Sequence, residues 1–123
     1  MTDLFTPMDL HGLALPNRIW MSAMTRTRAT ADNIPTFIMG EYYAQRATAG
    51  LIVTERTAVP EQSKGVINGP GLWRDDQVKG WREVTDAVHK ARGRIFCQLW
   101  HCGRVAHPDM RGCCAAMAAV RPN

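Results

Sequence analysis

Apolar and polar positions along this chain switch repeatedly between two periods. Short, near-continuous apolar runs are followed by stretches whose apolar residues recur at helical spacing, the order expected of βα units on a parallel sheet. The opening, Leu4 to Leu15, is punctuated by Gly12 and Pro16 and predicts a small hairpin or lead-in. Arg18 to Ala23 predicts a first core strand, and the polar run Thr25-Arg26-Thr27-Arg28 takes the chain out of the sheet. Thr36 is placed to cap a helix whose apolar face is Met39, Tyr43 and Ala47, with Gly50 as its stop. Leu51 to Thr54 predicts a strand buried on both faces. The Gly- and Pro-rich stretch from Pro60 to Gly71 reads as a loop on the functional side. Asp75 is the expected cap of a second helix, with Asp76 complementing the dipole of its first turn. Val78, Trp81, Val84, Val88 and Ala91 form the stripe of that helix, Gly93 ends it, and Arg94 to Trp100 predicts a third strand.

The β-α-β-α-β order fits either a doubly wound sheet or the start of a barrel, and periodicity alone does not choose between them. A GxGxxG fingerprint is absent after the first strand, which counts against a Rossmann dinucleotide site.

Composition narrows the classes. With 46% hydrophobic and 21% charged residues, the chain has the make-up of a globular protein. The net charge of +4 is spread along the chain without a block of like charges, so no nucleic-acid partner is expected. Residues 1–7 have neither a positive n-region nor an apolar h-region, and no apolar run approaches the roughly 20 residues of a membrane helix. A cytoplasmic protein without a membrane partner is expected. The cysteines at 97, 102, 113 and 114 are therefore read as reduced thiols. Cys97, His101, Cys102 and His107 lack CxxC spacing, and Cys97 falls in a strand expected to be buried, so no metal site is assigned.

In parallel α/β folds, sites form at the carboxyl ends of the strands. Those ends hold Ala23-Met24-Thr25-Arg26, Glu55-Arg56-Thr57 and Gln98-Leu99-Trp100-His101. Taken alone, Thr25 reads as a strand-end cap, Trp100 as core, and Glu55 as a structural partner for a neighbouring arginine.

Several motifs then occur together and in order. They are Leu4-Phe5-Thr6-Pro7, Pro16-Asn17-Arg18, Met24-Thr25-Arg26, the run from Met39 to Ala47 with Ala49-Gly50-Leu51-Ile52, Gly69-Pro70-Gly71-Leu72-Trp73, and the run from Gly93 to Arg104. From about residue 4 to residue 112 the chain resembles the N-terminal portion of the old yellow enzymes, NAD(P)H:flavin oxidoreductases that act as ene-reductases.

That resemblance implies a (β/α)8 TIM barrel of which this chain holds about three βα units. It implies FMN as cofactor, NADPH or NADH as reductant, and an electron-poor alkene as substrate. Thr25 resembles the threonine that hydrogen-bonds flavin O4, and Gln98 the glutamine at the pyrimidine edge. Ala23 and Met24 would supply backbone and packing contacts beside the ring, and Trp100 would shape the substrate pocket. Arg56 stands where the family generally has a small residue whose backbone lies near the flavin, and Val66 replaces a pocket tyrosine. His101 receives no role, and no catalytic residue is assigned, since the family's substrate-binding and proton-donating residues correspond to positions beyond residue 123.

A barrel of this kind needs about 250 residues. Residues 1–112 are therefore expected to be part of an FMN-binding barrel domain, inactive alone and marginally stable, with a complementing C-terminal part as partner. The alternative is a non-catalytic remnant or a subunit that needs a separate C-terminal part. Residues 113–123 read as an atypical, disordered tail, as from a truncated or frame-disturbed copy of a longer sequence.

Overall fold

The structure, a computed structural model, describes residues 3–105. The tail at 113–123, with Cys113 and Cys114, lies outside the described residues, as does His107. The lead-in is a hairpin. Strands β1 (Met8–Leu10) and β2 (Leu13–Leu15) pair antiparallel with Met8 opposite Leu15. His11 and Gly12 between them both have positive φ, 50° and 90°, as the two-residue turns favoured by strand twist require. Asp9 Oδ1 accepts the Gly12 N–H at 2.9 Å and closes the turn.

The main sheet has three parallel strands in the order β3-β4-β5: Trp20–Met21, Leu51–Ala58 and Ile95–Trp100. Between them run α1 (Phe37–Ala44) and α2 (Asp75–Lys90). Strand order follows chain order without a reversal, so both crossovers are laid on one face of the sheet. A doubly wound sheet reverses and places helices on both faces; a barrel does not. Three strands in chain order suit the start of a barrel and equally one half of a doubly wound sheet.

The ladder of β3 is shorter than the run Arg18 to Ala23. Asn17 takes over the chain before it, with Oδ1 accepting the Ile19 N–H at 3.0 Å and Nδ2 donating to Thr48 O at 2.8 Å. Gly50 N–H donates to Ile19 O at 2.8 Å, and a Cβ on Gly50 would overlap the Asn17 carbonyl.

The core lies between helices and sheet: Met39 and Tyr43 from α1, Trp81, Val84 and Val88 from α2, and Ile52 from β4, flanked by Met21 and Ile95. Full burial of each such side chain is worth about 1.5–3 kcal/mol. Gly40 lets α1 approach α2 closely, because a Cβ there would already touch Val84 Cα and Ala87 Cβ. Val78 and Ala91, assigned to the apolar stripe, are instead exposed, at the flanks of the buried arc. Helix α2 begins with Asp75 as its first helical residue, and Arg74 occupies the cap position. Buried Gln77 organises that start: its Oε1 accepts the N–H groups of Trp73 at 2.9 Å and Arg74 at 3.2 Å, and its Nε2 donates to Asp32 O at 3.2 Å.

The outer strands leave large apolar side chains uncovered among the described residues. Trp20 is 45% exposed, Phe96 49% and Leu99 61%. Cys97, expected inside a buried strand, is exposed as well, because β5 is a sheet edge here. No helix among the described residues is long and apolar enough to cross a membrane.

Candidate functional site

The site is organised by an irregularity in β4. Val53 pairs with Phe96, but Arg56, not Glu55, pairs with Gln98, so β4 carries one more residue than β5 across this step. Thr54 repairs the ladder at the bulge: its hydroxyl accepts the Gln98 N–H at 3.0 Å and donates to Glu55 O at 2.9 Å. Beyond the bulge, Arg56 and Ala58 stand beside Gln98 and Trp100 on one face, and buried Thr57 stands beside Leu99 on the other.

Glu55 is 1% exposed, and its Oε2 accepts the backbone N–H groups of Arg26 at 2.9 Å and Thr27 at 3.2 Å. Its hydrogen-bond partner is therefore the backbone of the segment after β3, and the charges of Arg26 and Arg56, the neighbouring arginines its sequence position suggests, add a smaller attraction. Desolvation raises the pKa of Glu55, and the two amides oppose that shift. The other carboxylate oxygen, Oε1, is buried without a hydrogen bond among the described residues, beside a cavity of about 130 Å³ lined also by Arg26, Arg28 and Tyr42. Buried Tyr43 accepts the Glu55 N–H at its hydroxyl, 2.8 Å away, and burial drives its own pKa far upward. Sequence reading assigns Tyr43 to the core alone; the polar role of its hydroxyl has no local signal.

Glu55 thus clamps the chain immediately after Ala23, Met24 and Thr25 to the carboxyl end of β4. Met24 is 42% exposed, Thr25 is exposed, and the Thr25 hydroxyl makes no hydrogen bond among the described residues. The Gln98 side-chain amide is likewise uncommitted, although its backbone N–H is bonded. A hydroxyl and a primary amide, both with free hydrogen-bonding capacity, one after β3 and one on β5, the two strands that flank β4, suit a heteroaromatic edge of alternating N–H and C=O groups. The residues present therefore fit a flavin. Arg56, the departure noted above, turns its guanidinium onto the Trp100 ring, 4.7 Å from the centroid.

The loop from 60 to 71 is held over the same end. Asn33 Nδ2 donates to Gly69 O at 2.7 Å, Gly71 N–H donates to Asn33 O at 2.9 Å, and Ser63 Oγ accepts the Val59 N–H at 3.0 Å. Buried Asn33, invisible as a site residue in the sequence, joins Arg56, Val66 and Trp100 in lining the cleft beneath the loop. His101 Nδ1 accepts the Gly103 N–H at 2.9 Å. Among the described residues no group of three His, Cys, Asp or Glu side chains gathers.

An unreversed parallel sheet with helices on one face, and polar groups at its carboxyl end, is an arrangement with which a (β/α)8 barrel begins. Residues 3–120 match the NADH:flavin oxidoreductase / NADH oxidase family, and the chain belongs to it. It is 46% identical over 112 residues to the chanoclavine-I aldehyde reductase of Penicillium roqueforti, covering 89% of this chain and 30% of that protein. The fold superposes on the old yellow enzyme homologue of Zymomonas mobilis with a TM-score of 0.86 and 50% identity, covering 89% of this chain and 31% of the other. Morphinone reductase in complex with tetrahydroNAD gives 0.85 and 46%, with coverage of 89% and 30%. The chain thus spans about 30% of the length of the relatives it matches, as the N-terminal portion of an old yellow enzyme barrel.

Proposed function

We propose that this chain forms the first three strands of an FMN-dependent ene-reductase and the pyrimidine half of its flavin site. Thr25 donates its hydroxyl to flavin O4, and Gln98 meets the pyrimidine edge with its amide. Ala23, Met24 and the Arg56 backbone border the ring, and Trp100 walls the substrate side. The bound flavin supplies hydride transfer from NADPH or NADH to an electron-poor alkene, such as an unsaturated carbonyl or nitro compound. The contribution of these residues is to orient the ring and, through the Thr25 donor, to stabilise electron density on it. The observation that carries this reading is the pairing of an uncommitted Gln98 amide with a Thr25 segment clamped by Glu55.

Turnover is proposed to need the other five strands, in the same polypeptide or as a complementing C-terminal part in the cytoplasm. The exposure of Trp20 and Leu99 on the two outer strands supports that need. The test is the visible absorption spectrum of the purified chain after incubation with FMN and desalting, repeated with a C-terminal fragment of a relative added. A retained, shifted flavin band in either sample, weakened by Gln98→Ala, is expected. Retention that is indifferent to both Gln98→Ala and Thr25→Ala would overturn the assignment. Alkene reduction restored by the fragment supports a split enzyme; flavin retention without reduction supports a non-catalytic remnant.

A further inference from the structure

The Arg56 guanidinium does something that neither the family match nor the flavin reading explains. It lies over the Trp100 ring at 4.7 Å from the centroid, on the same sheet face as Gln98. Its Nε is buried and has no hydrogen-bond acceptor among the described residues. The half-open cleft that it lines with Asn33, Ser63, Lys64 and Trp100 leaves about 10 Å³ free, room for a single oxygen-sized atom.

The charge balance is equally specific. Lys64, the other cation of this cleft, is paired with Glu61 at 3.0 Å. Glu55, next to Arg56 in the chain, lines the other cavity and has its Oε2 engaged by two backbone amides. Arg56 forms no ion pair among the described residues. A guanidinium held over an indole face can keep N–H groups for bonding, and its fork matches a carboxylate bidentately.

We propose that Arg56 is a specificity-determining residue that selects electron-poor alkenes carrying a carboxylate. One carboxylate oxygen enters the space beside Nε and the other meets an Nη at the edge of the same fork. Trp100 serves as the platform that holds the guanidinium for this contact. The inference rests on the reading of this strand end as the substrate side of a flavin site, but its test needs no flavin.

The test is a titration of the ¹⁵N-labelled chain carrying Trp20→Lys, which limits self-association at the β3 edge, and showing a protected Ile52 amide as the mark of a folded sheet. The ligand trans-cinnamate and, separately, its neutral analogue cinnamamide are added while the Arg56 Nε–H resonance is observed. Saturable movement of that resonance by cinnamate is expected, with binding at least about tenfold weaker for cinnamamide, the usual scale of a charge-assisted pair. Arg56→Ala and Arg56→Gln should each lose that preference; the second preserves side-chain bulk, so that a packing loss is not mistaken for a charge loss. Equal response to the two ligands, no response, or undiminished cinnamate binding by Arg56→Gln would overturn the proposal and leave the cleft to solvent. Failure of the chain to retain FMN would bear on the flavin assignment and not on this result.

Discussion

The hydroxyl of Tyr43 accepts the backbone N–H of Glu55 at 2.8 Å, tying α1 to the bulge of β4 at the point where the site begins. Tyr43→Phe keeps the ring in the core but leaves a buried N–H without an acceptor, a loss of about 1–3 kcal/mol. The Glu55 amide is expected to exchange with solvent about 5- to 150-fold faster in that variant, by the same energy. Amide hydrogen exchange followed by NMR checks this, and unchanged protection would show that the bond contributes nothing.

Glu55 sets a pH dependence whose sign follows from its upward shift. Between its ordinary value of 4.5 and its raised folded value, the folded chain binds more protons than the unfolded one. The stability from this group is therefore full below that window, falls as pH rises through it, and is flat above. Glu55→Gln retains an acceptor for the Arg26 and Thr27 amides and does not titrate. Protease-resistance profiles against pH should show this slope in the wild type and its loss in the variant.

Much of this architecture is legible along the chain. The third strand, the second helix and the hairpin follow from local pattern, because Trp81, Val84 and Val88 recur at helical spacing and His11-Gly12 suits a tight turn. What stays hidden is set by contacts distant in sequence. Strand β4 runs to Ala58, past the Leu51-to-Thr54 core, because buried Glu55 and Thr57 find polar partners there. The motif residues Thr25, Arg56, Gln98 and Trp100 are nameable from the sequence, whereas the Arg56–Trp100 stack, the Glu55 clamp and the unpartnered Asn33 oxygen depend on tertiary placement.

Gly50 lies where β4 begins against Asn17, with no room for a side chain. Gly50→Ala should push the Asn17 turn away, weaken the Gly50 N–H to Ile19 O bond, and cost about 1–3 kcal/mol or more, as overpacking does. Loss of amide protection at Gly50 and Ile52, with α2 unaffected, is the expected signature.

The open sheet edges make self-association the expected behaviour of the isolated chain, without a sharp thermal transition. Leu99→Lys and Trp20→Lys place charges on the two outer strands, where edge-blocking lysines act in natural sheets. Light scattering should fall for both variants, most for the pair. A sharp, cooperative melt of the unaltered chain would contradict this expectation.

The extra residue in β4 works as a parity switch for everything downstream of it. Were the strand regular, continuing the pairing of Val53 with Phe96 would bring Glu55 beside Gln98 and move Arg56 beside Leu99. An anionic group would then stand where a cationic one now does, with the hydrophobic pairing of Ile52 and Ile95 untouched. Deleting Thr54, by contrast, would remove the extra residue and still leave Arg56 beside Gln98, so the sign of the mouth is held by register and not by the bulge residue itself.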